Sequence, residues 1–507
     1  MRRYFELSPQ LQFLAWLLLV IALKFDVILA PPVWDTAMGV FPPAAFLYDT
    51  GFDIVSLATQ ADWWSGGANV HSFSLWTWLT AVVMSVTDDP LTTFATLHIA
   101  TFILNAFAIS IFVKILFEYT SSAPIALTSG LLLLLTPLVL VQIGYMYFES
   151  IVMCLGVLTW ASWHRQREGV AVILAIVALS VKLTGVSMVV ILSLVLLIRL
   201  VSSFSYTRLA LLLSLPTSFY IITSVPEWFG ALNNGNLLRW GDQAQLLQGV
   251  IKSLGRVPEI SGFILLGAVV SIVYVVSVWR SVGWASLAAY CQKIDRTESS
   301  QIIALVYPFV FCTGVYFSTY MGFLLLPRYL LPILPFVLVQ LALGGHRFNF
   351  QPVLLSVLLI ACIGSIYNHN GILYSRSGAF SLVERSHAYK PYVRAQKTII
   401  GEIDKLPRGI PIYVSREIDY MTSNRMMGYS KDPNPYIFGI YTKKFRYMAI
   451  EQLADEYYVV LSNGGHGGKR IKQILKMAQD SDEWQVTNIY KQNIGGYNMH
   501  IHHLHRL

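Results

Sequence analysis

A helix needs about 20 mostly apolar residues to cross the hydrocarbon core of a bilayer. This chain supplies such runs again and again over its first 367 residues. They lie near 9–30, 93–117, 123–143, 146–163, 169–181, 183–201, 208–224, 260–279, 301–321, 328–345 and 352–367, which predicts about eleven spans. The composition agrees: 55% of residues are hydrophobic and 13% charged, where soluble domains carry about a quarter charged. The first run follows Arg2 and Arg3 like a signal peptide, but Lys24, Asp26 and Pro31 close it poorly for cleavage, so it reads as a retained helix.

The net charge of +8 is unevenly placed. Residues 368–507 hold 19 Lys/Arg and 12 Asp/Glu, net +7, which leaves 17 and 16 for residues 1–367, net +1. Two regions with different solvents are expected: a membrane module over 1–367, and a basic, soluble domain over 368–507. Cys154, Cys312 and Cys362 sit in apolar runs and Cys291 in a polar loop, so neither a disulfide framework nor a cysteine-rich zinc site is offered. No glycine-rich phosphate loop or dinucleotide fingerprint occurs, which argues against a nucleotide cofactor.

Charge also orients the spans. The basic turn at 164–169, Arg2/Arg3, Arg199/Arg208 and the loop 280–296 all belong on the cytoplasmic side. They agree only if the short run 73–86 does not cross. At about 1.5 Å per residue it reaches roughly 21 Å, short of the core thickness, and reads as a half helix on the outer face. The N-terminus is then cytoplasmic, and the first loop (31–92) and the C-terminal domain lie outside. By this topology eleven basic and five acidic residues face the cytoplasm, against six and eleven outside.

The ionisable residues at the outer ends of spans are the candidates for chemistry, since charge near a bilayer needs a partner or a task. Asp35, just past the first membrane exit, either caps a short helix running towards Leu47 or acts as a general base. Glu149, in YMYFES, either sits favourably at a helix N-terminus or has a partner or a task at the outer end of its span. Lys182, in SVKLTG, either snorkels or meets an anionic headgroup. Arg328, in the LLLPRYLLPILPF run and beside Tyr329, opens a helix, where it either snorkels or holds a phosphate with its fork. His71 is either a surface histidine or, with Glu149, a metal ligand.

The C-terminal domain has an α/β rhythm. Helices are expected near 391–404 and 469–478, strands at 410–415 and 457–463, and a closing hairpin from 484–492 and 498–507 around IGGY. The run MHIHHLHR puts His500 and His502 on one face and His503 and His505 on the other, so the four cannot share one ion, and it reads as an edge strand.

Taken in order, these pieces resemble the C-type polytopic glycosyltransferases with polyprenyl-phosphate sugar donors, in particular bacterial relatives of protein O-mannosyltransferases and the lipid A aminoarabinose transferase. The resemblance spans about residues 10–345 and rests on Asp35 in the first outer loop, an aromatic half helix, Glu149 opening a later helix, the Lys182/Gly185 pair and the PRYLLPILPF run. Many relatives have an Asp-Glu pair where this chain has Asp35-Thr36. The resemblance implies an inverting transfer from a polyprenyl-phosphate sugar to a hydroxyl of a cell-envelope glycan, lipid or protein, with no nucleotide and no nucleic acid involved. Asp35 would be the base, Arg328, Lys182 and Tyr329 would hold the donor phosphate, and Glu149 would orient the acceptor or hold a metal with His71. The competing classes are a lipid or solute transporter and a glycan ligase or polymerase using a diphosphate-linked donor.

Overall fold

The structure is a computed structural model. It describes residues 2–59, 72–228, 265–273, 276, 296–320, 327–367, 389–439, 454–462 and 468–507. His71, the loop 229–259 and most of the basic loop 280–296 lie outside the described residues. The same holds for parts of the expected span 260–279.

The chain divides into two compact units. One comprises residues 1–25, 98–228 and 233–375; the other comprises 26–97, 229–232 and 376–507. The change near 375 lies close to the boundary expected at 367. The first loop, however, belongs to the same compact unit as the C-terminal domain rather than to the helical module.

The first unit is a helical bundle. Its opening helix, Pro9–Lys24, starts where Ser8 accepts a bond from the Leu11 amide and Pro9 supplies a preset φ. Gln12, Trp16, Val20 and Lys24 recur every fourth residue and are buried, while Leu11, Leu14 and Leu18 are exposed. Apolar side chains facing outward from a packed stripe are what a lipid solvent selects. Trp16 packs over Gly130, where an added Cβ would sit 2.3 Å from Val113 Cγ2, so this crossing requires the small residue.

Among the described residues, four helices are long and apolar enough to cross a membrane: Pro9–Val27, Pro90–Thr120, Leu183–Val201 and Leu330–Arg347. A fifth is reached if Ala123–Leu135 and Pro137–Tyr145 form one span. That pair corrects the single helix expected over 123–143, because the two pieces meet at 56°. Pro137 has no amide to bond back along the helix and pushes Thr136 out of helical geometry, to ψ 122°. Shorter apolar helices, including Glu168–Val181 and Gln351–Tyr367, fill other expected spans, so the described residues form a many-helix bundle.

In the second unit, the first loop folds into the helices Trp34–Gly39, Phe41–Asp49 and Leu75–Thr87. The last is the expected half helix, 13 residues long and capped by Ser74. Val33, not Asp35, is the N-cap of the Trp34–Gly39 helix, and no side chain caps it. The capping alternative for Asp35 is therefore set aside.

The C-terminal part carries five strands: β1 (Ile412–Val414), β2 (Ile437–Gly439), β3 (Glu456–Ser462), β4 (Trp484–Ile494) and β5 (Tyr497–Arg506). They are ordered β2-β1-β3-β5-β4. β1 runs parallel to β2 and β3, whereas β5 is antiparallel to β3 and β4. The β4–β5 hairpin turns through Gly495 and Gly496, both at positive φ (58° and 90°), the geometry that glycine supplies without strain. β5 is interior, which corrects its reading as an edge. One of its histidines, His503, stacks on Tyr458 at 4.7 Å between ring centroids and lies 2.9 Å from Glu456. The outer strand is β4, whose polar residues Asn488, Lys491, Gln492 and Asn493 and bulge at Asn488/Tyr490 suit an exposed edge. The helix Gly468–Gln479 buries Ile471, Leu475 and Ala478 against Tyr413, Tyr457, Trp484 and Leu504.

Candidate functional site

Three of the ionisable residues singled out above meet inside the helical unit. Glu149 lies in the first turn of the Phe148–His164 helix, after Met146 turns left-handed (φ 53°) and ends the preceding helix. The Phe148–His164 helix leads away from this end of the bundle, and the Glu168–Val181 helix returns to it. Lys182 is the C-cap there, in extended geometry, and the following turn Leu183–Gly185 folds back on the helix end. Gly185 is required: a Cβ on it would lie 2.5 Å from the backbone of Ala178 and Leu179. The Lys182/Gly185 spacing is thus a device that turns the lysine inward.

Arg328 arrives on a third element. The expected α-helix start is instead a 3-10 turn, Pro327–Ile333, followed by the α-helix Leu334–Arg347. Pro327, Pro332 and Pro335 each lack a backbone donor, so a regular α ladder cannot run through this stretch.

The three charges share one carboxylate. Glu149 Oε1 accepts a bond from Lys182 Nζ and lies 3.5 Å from Arg328 Nε. Relative exposures are 0% for Glu149, 7% for Lys182 and 3% for Arg328. Both cations also rest on the Tyr147 ring, Lys182 Nζ at 5.1 Å and Arg328 Cζ at 4.8 Å from its centroid; Lys182 is 5.7 Å from the Phe148 ring. Neither sequence spacing nor charge singled out Tyr147; the only signal was its place in the aromatic run before Glu149.

Lys182 and Arg328 bring two cations to the buried Glu149 carboxylate. Burying a charge costs several kcal/mol per ion unless something compensates it. Glu149 Oε2 has no hydrogen-bond partner among the described residues, so the second carboxylate oxygen does not hold further donors in place. The same arrangement is a poor cradle for a divalent ion, because Glu149 already faces two fixed cations that would repel a third. Among the described residues no group of three or more His, Cys, Asp or Glu could hold a metal ion, and His71 lies outside them. Glu149 is placed here as the shared partner of the two cations.

Asp35 is the second residue of the Trp34–Gly39 helix, in the other compact unit. Its side chain, like that of Tyr329 in the 3-10 turn beside Arg328, is outside the described set.

No protein-family model and no curated protein sequence matches the chain. Among solved structures, ArnT from Cupriavidus metallidurans bound to undecaprenyl phosphate aligns with a TM-score of 0.51 at 12% identity, over 96% of this chain and 98% of that one. The two chains share a fold. ArnT is the lipid A aminoarabinose transferase, a C-type glycosyltransferase, so the likeness falls within the group that the motifs resemble. Its apo state aligns over the same shares of both chains at 12% identity and a TM-score of 0.46. The likeness to ArnT is one of backbone path and reaches through the C-terminal domain, beyond the span near 345 to which the motifs extend.

Proposed function

We propose that the chain is an inverting glycosyltransferase. It moves a sugar from a polyprenyl-phosphate donor to a hydroxyl of a cell-envelope glycan, lipid or protein at the outer face of the bacterial inner membrane. The observation that carries this reading is the buried Glu149–Lys182–Arg328 group, which brings two cations to one carboxylate. The ArnT fold supports it, and the ArnT structure was solved with undecaprenyl phosphate.

The charge pattern suits the chemistry. A sugar–phosphate–prenyl diester carries about one negative charge, which Lys182 and Arg328 attract, while its prenyl tail stays in the bilayer. Attack of the acceptor oxygen on the anomeric carbon breaks the bond to the phosphate oxygen, and that electron pair leaves with the polyprenyl phosphate. The leaving group gains a second negative charge in that step. Arg328 and Lys182 stabilise this developing charge more than the ground state, which is what accelerates a reaction. Glu149 contributes by holding both cations in place, with Tyr147 as the platform beneath them. Asp35 accepts the acceptor's hydroxyl proton, and Tyr329 assists Arg328 and Lys182 in holding the phosphate. No step passes through a metal or a nucleotide.

The reading is tested with full-length protein in vesicles given labelled sugars on either polyprenyl monophosphate or polyprenyl diphosphate. Transfer from the monophosphate is expected. Transfer from the diphosphate alone supports a ligase instead, and movement of label across the vesicle without transfer supports a transporter.

A further inference from the structure

The second compact unit contains a contact system that the charge cluster does not use. The short 3-10 turn Arg425–Met427 is built to keep its shape: Asn424 caps it by accepting from the Met426 amide at 2.8 Å, and Gly428 ends it at φ 70°. Met426 and Met427 are fully buried, and Ser430 Oγ donates to Asp404 Oδ1 at 3.0 Å, tying the segment to the end of the Tyr389–Ile403 helix.

From this rigid base the segment reaches both ends of the paired helices Trp34–Gly39 and Phe41–Asp49. At the front, the Tyr429 hydroxyl donates to the Pro32 carbonyl at 2.9 Å, two residues before the first helix. Gly428 lies against Phe94 and Pro31, so closely that a Cβ would come within 2.5 Å of the Phe94 ring; Phe94 in turn packs on Phe41 at 5.8 Å between centroids. At the back, Arg425 donates to the Tyr48 hydroxyl at 2.9 Å and to Asp88 at 2.6 Å, and Asn424 donates to Asp49. Tyr48 also donates to Asp88, the left-handed cap of the Leu75–Thr87 helix. The helix Arg416–Thr422 packs directly on Trp34–Gly39.

We infer that residues 424–430 of the C-terminal domain are a positioning clamp for the helix that carries Asp35. This inference rests on the proposed role of Asp35 as the base. The clamp fixes where that helix starts and how it lies, so that the domain contributes to the reaction without touching the reacting atoms. The exposed Arg425–Asp88 pair contributes little, as surface ion pairs do. The part-buried Tyr429 bond and the tight Gly428 approach carry most of the effect.

The test uses the full-length protein and two variants, Tyr429→Phe, which deletes only the hydroxyl, and Gly428→Ala, which pushes on Phe94 and strains a left-handed backbone. Amide hydrogen exchange over residues 33–49 is expected to speed up about 5- to 10-fold in Tyr429→Phe and more in Gly428→Ala, with β3 unchanged as an internal control. Transfer is expected to lose about 10-fold in kcat with the donor KM unchanged, since a small misplacement of a reacting group is costly. Unchanged exchange over 33–49 in both variants overturns the clamp, whatever transfer does. Faster exchange with unchanged kcat leaves the clamp standing and overturns the assignment of the base to this helix.

Discussion

Asp35→Asn is expected to lower the rate of glycosyl transfer by about 10²- to 10⁴-fold while leaving donor binding unchanged. The substitution keeps the shape of the side chain and removes its ability to take a proton. Two magnitudes separate this effect from simple damage to the loop. The rate loss corresponds to about 2.7–5.4 kcal/mol of transition-state stabilisation. By contrast, a first-turn carboxylate is worth only about 0.3–1 kcal/mol to its helix through the dipole, and Asp35 is not the cap of that helix. Single-turnover transfer from a labelled polyprenyl-monophosphate sugar, with donor binding and thermal unfolding measured in parallel, checks it. Near-normal turnover in a folded Asp35→Asn protein would remove Asp35 from the mechanism.

Glu149→Gln has the second large effect, and it falls on stability. Glu149 is the carboxylate that Lys182 and Arg328 share, and all three are buried. Breaking a buried pair by removing one partner typically costs about 3–5 kcal/mol, because the remaining charge has lost its compensation. Here two cations are left, so unfolding in detergent should move to markedly lower temperature. Adding Lys182→Met to the same protein removes one of the two cations, and the double variant should recover part of the loss. A double variant less stable than Glu149→Gln alone would mean that Lys182 is stabilised by something other than this carboxylate. A Glu149→Gln protein as stable as the parent would contradict the charge bookkeeping altogether.

Much of the site was legible in the sequence because each of its residues breaks an apolar pattern. Glu149, Lys182 and Arg328 stand out as charges at the ends of long apolar runs, and Gly185 marks the tight turn that directs Lys182 inward. That they converge on one carboxylate was not legible, since three residues spread over some 180 positions have no shared local signal. Tyr147 was missed for a related reason: an aromatic beside other aromatics looks like membrane-interface filler until two cations are found on its ring.

The fold shows the same division. Hydropathy located the helices, and the Gly-Gly turn located the β4–β5 hairpin. Periodicity could not say that β5 lies between β3 and β4, because an interior strand faced by histidine-accepting neighbours and an edge strand share the same alternation. The break at Pro137 in the 123–143 run was not read from hydropathy, and its 56° angle depends on packing that no local pattern records. Likewise, the grouping of the first loop with the C-terminal domain rests on contacts such as Tyr429 to Pro32, between residues almost 400 positions apart.

The central claim is that Lys182 and Arg328, held by Glu149, bind the phosphate of a polyprenyl donor. Its most direct test is the affinity of the purified full-length protein for polyprenyl monophosphate, compared with Arg328→Ala. That variant keeps the Glu149–Lys182 pair, and its unfolding temperature is measured in parallel so that folded proteins are compared. Its dissociation constant should rise about 10- to 100-fold, the worth of one charge-assisted contact to a buried anion. Equal affinity of the two folded proteins for polyprenyl monophosphate would contradict the account.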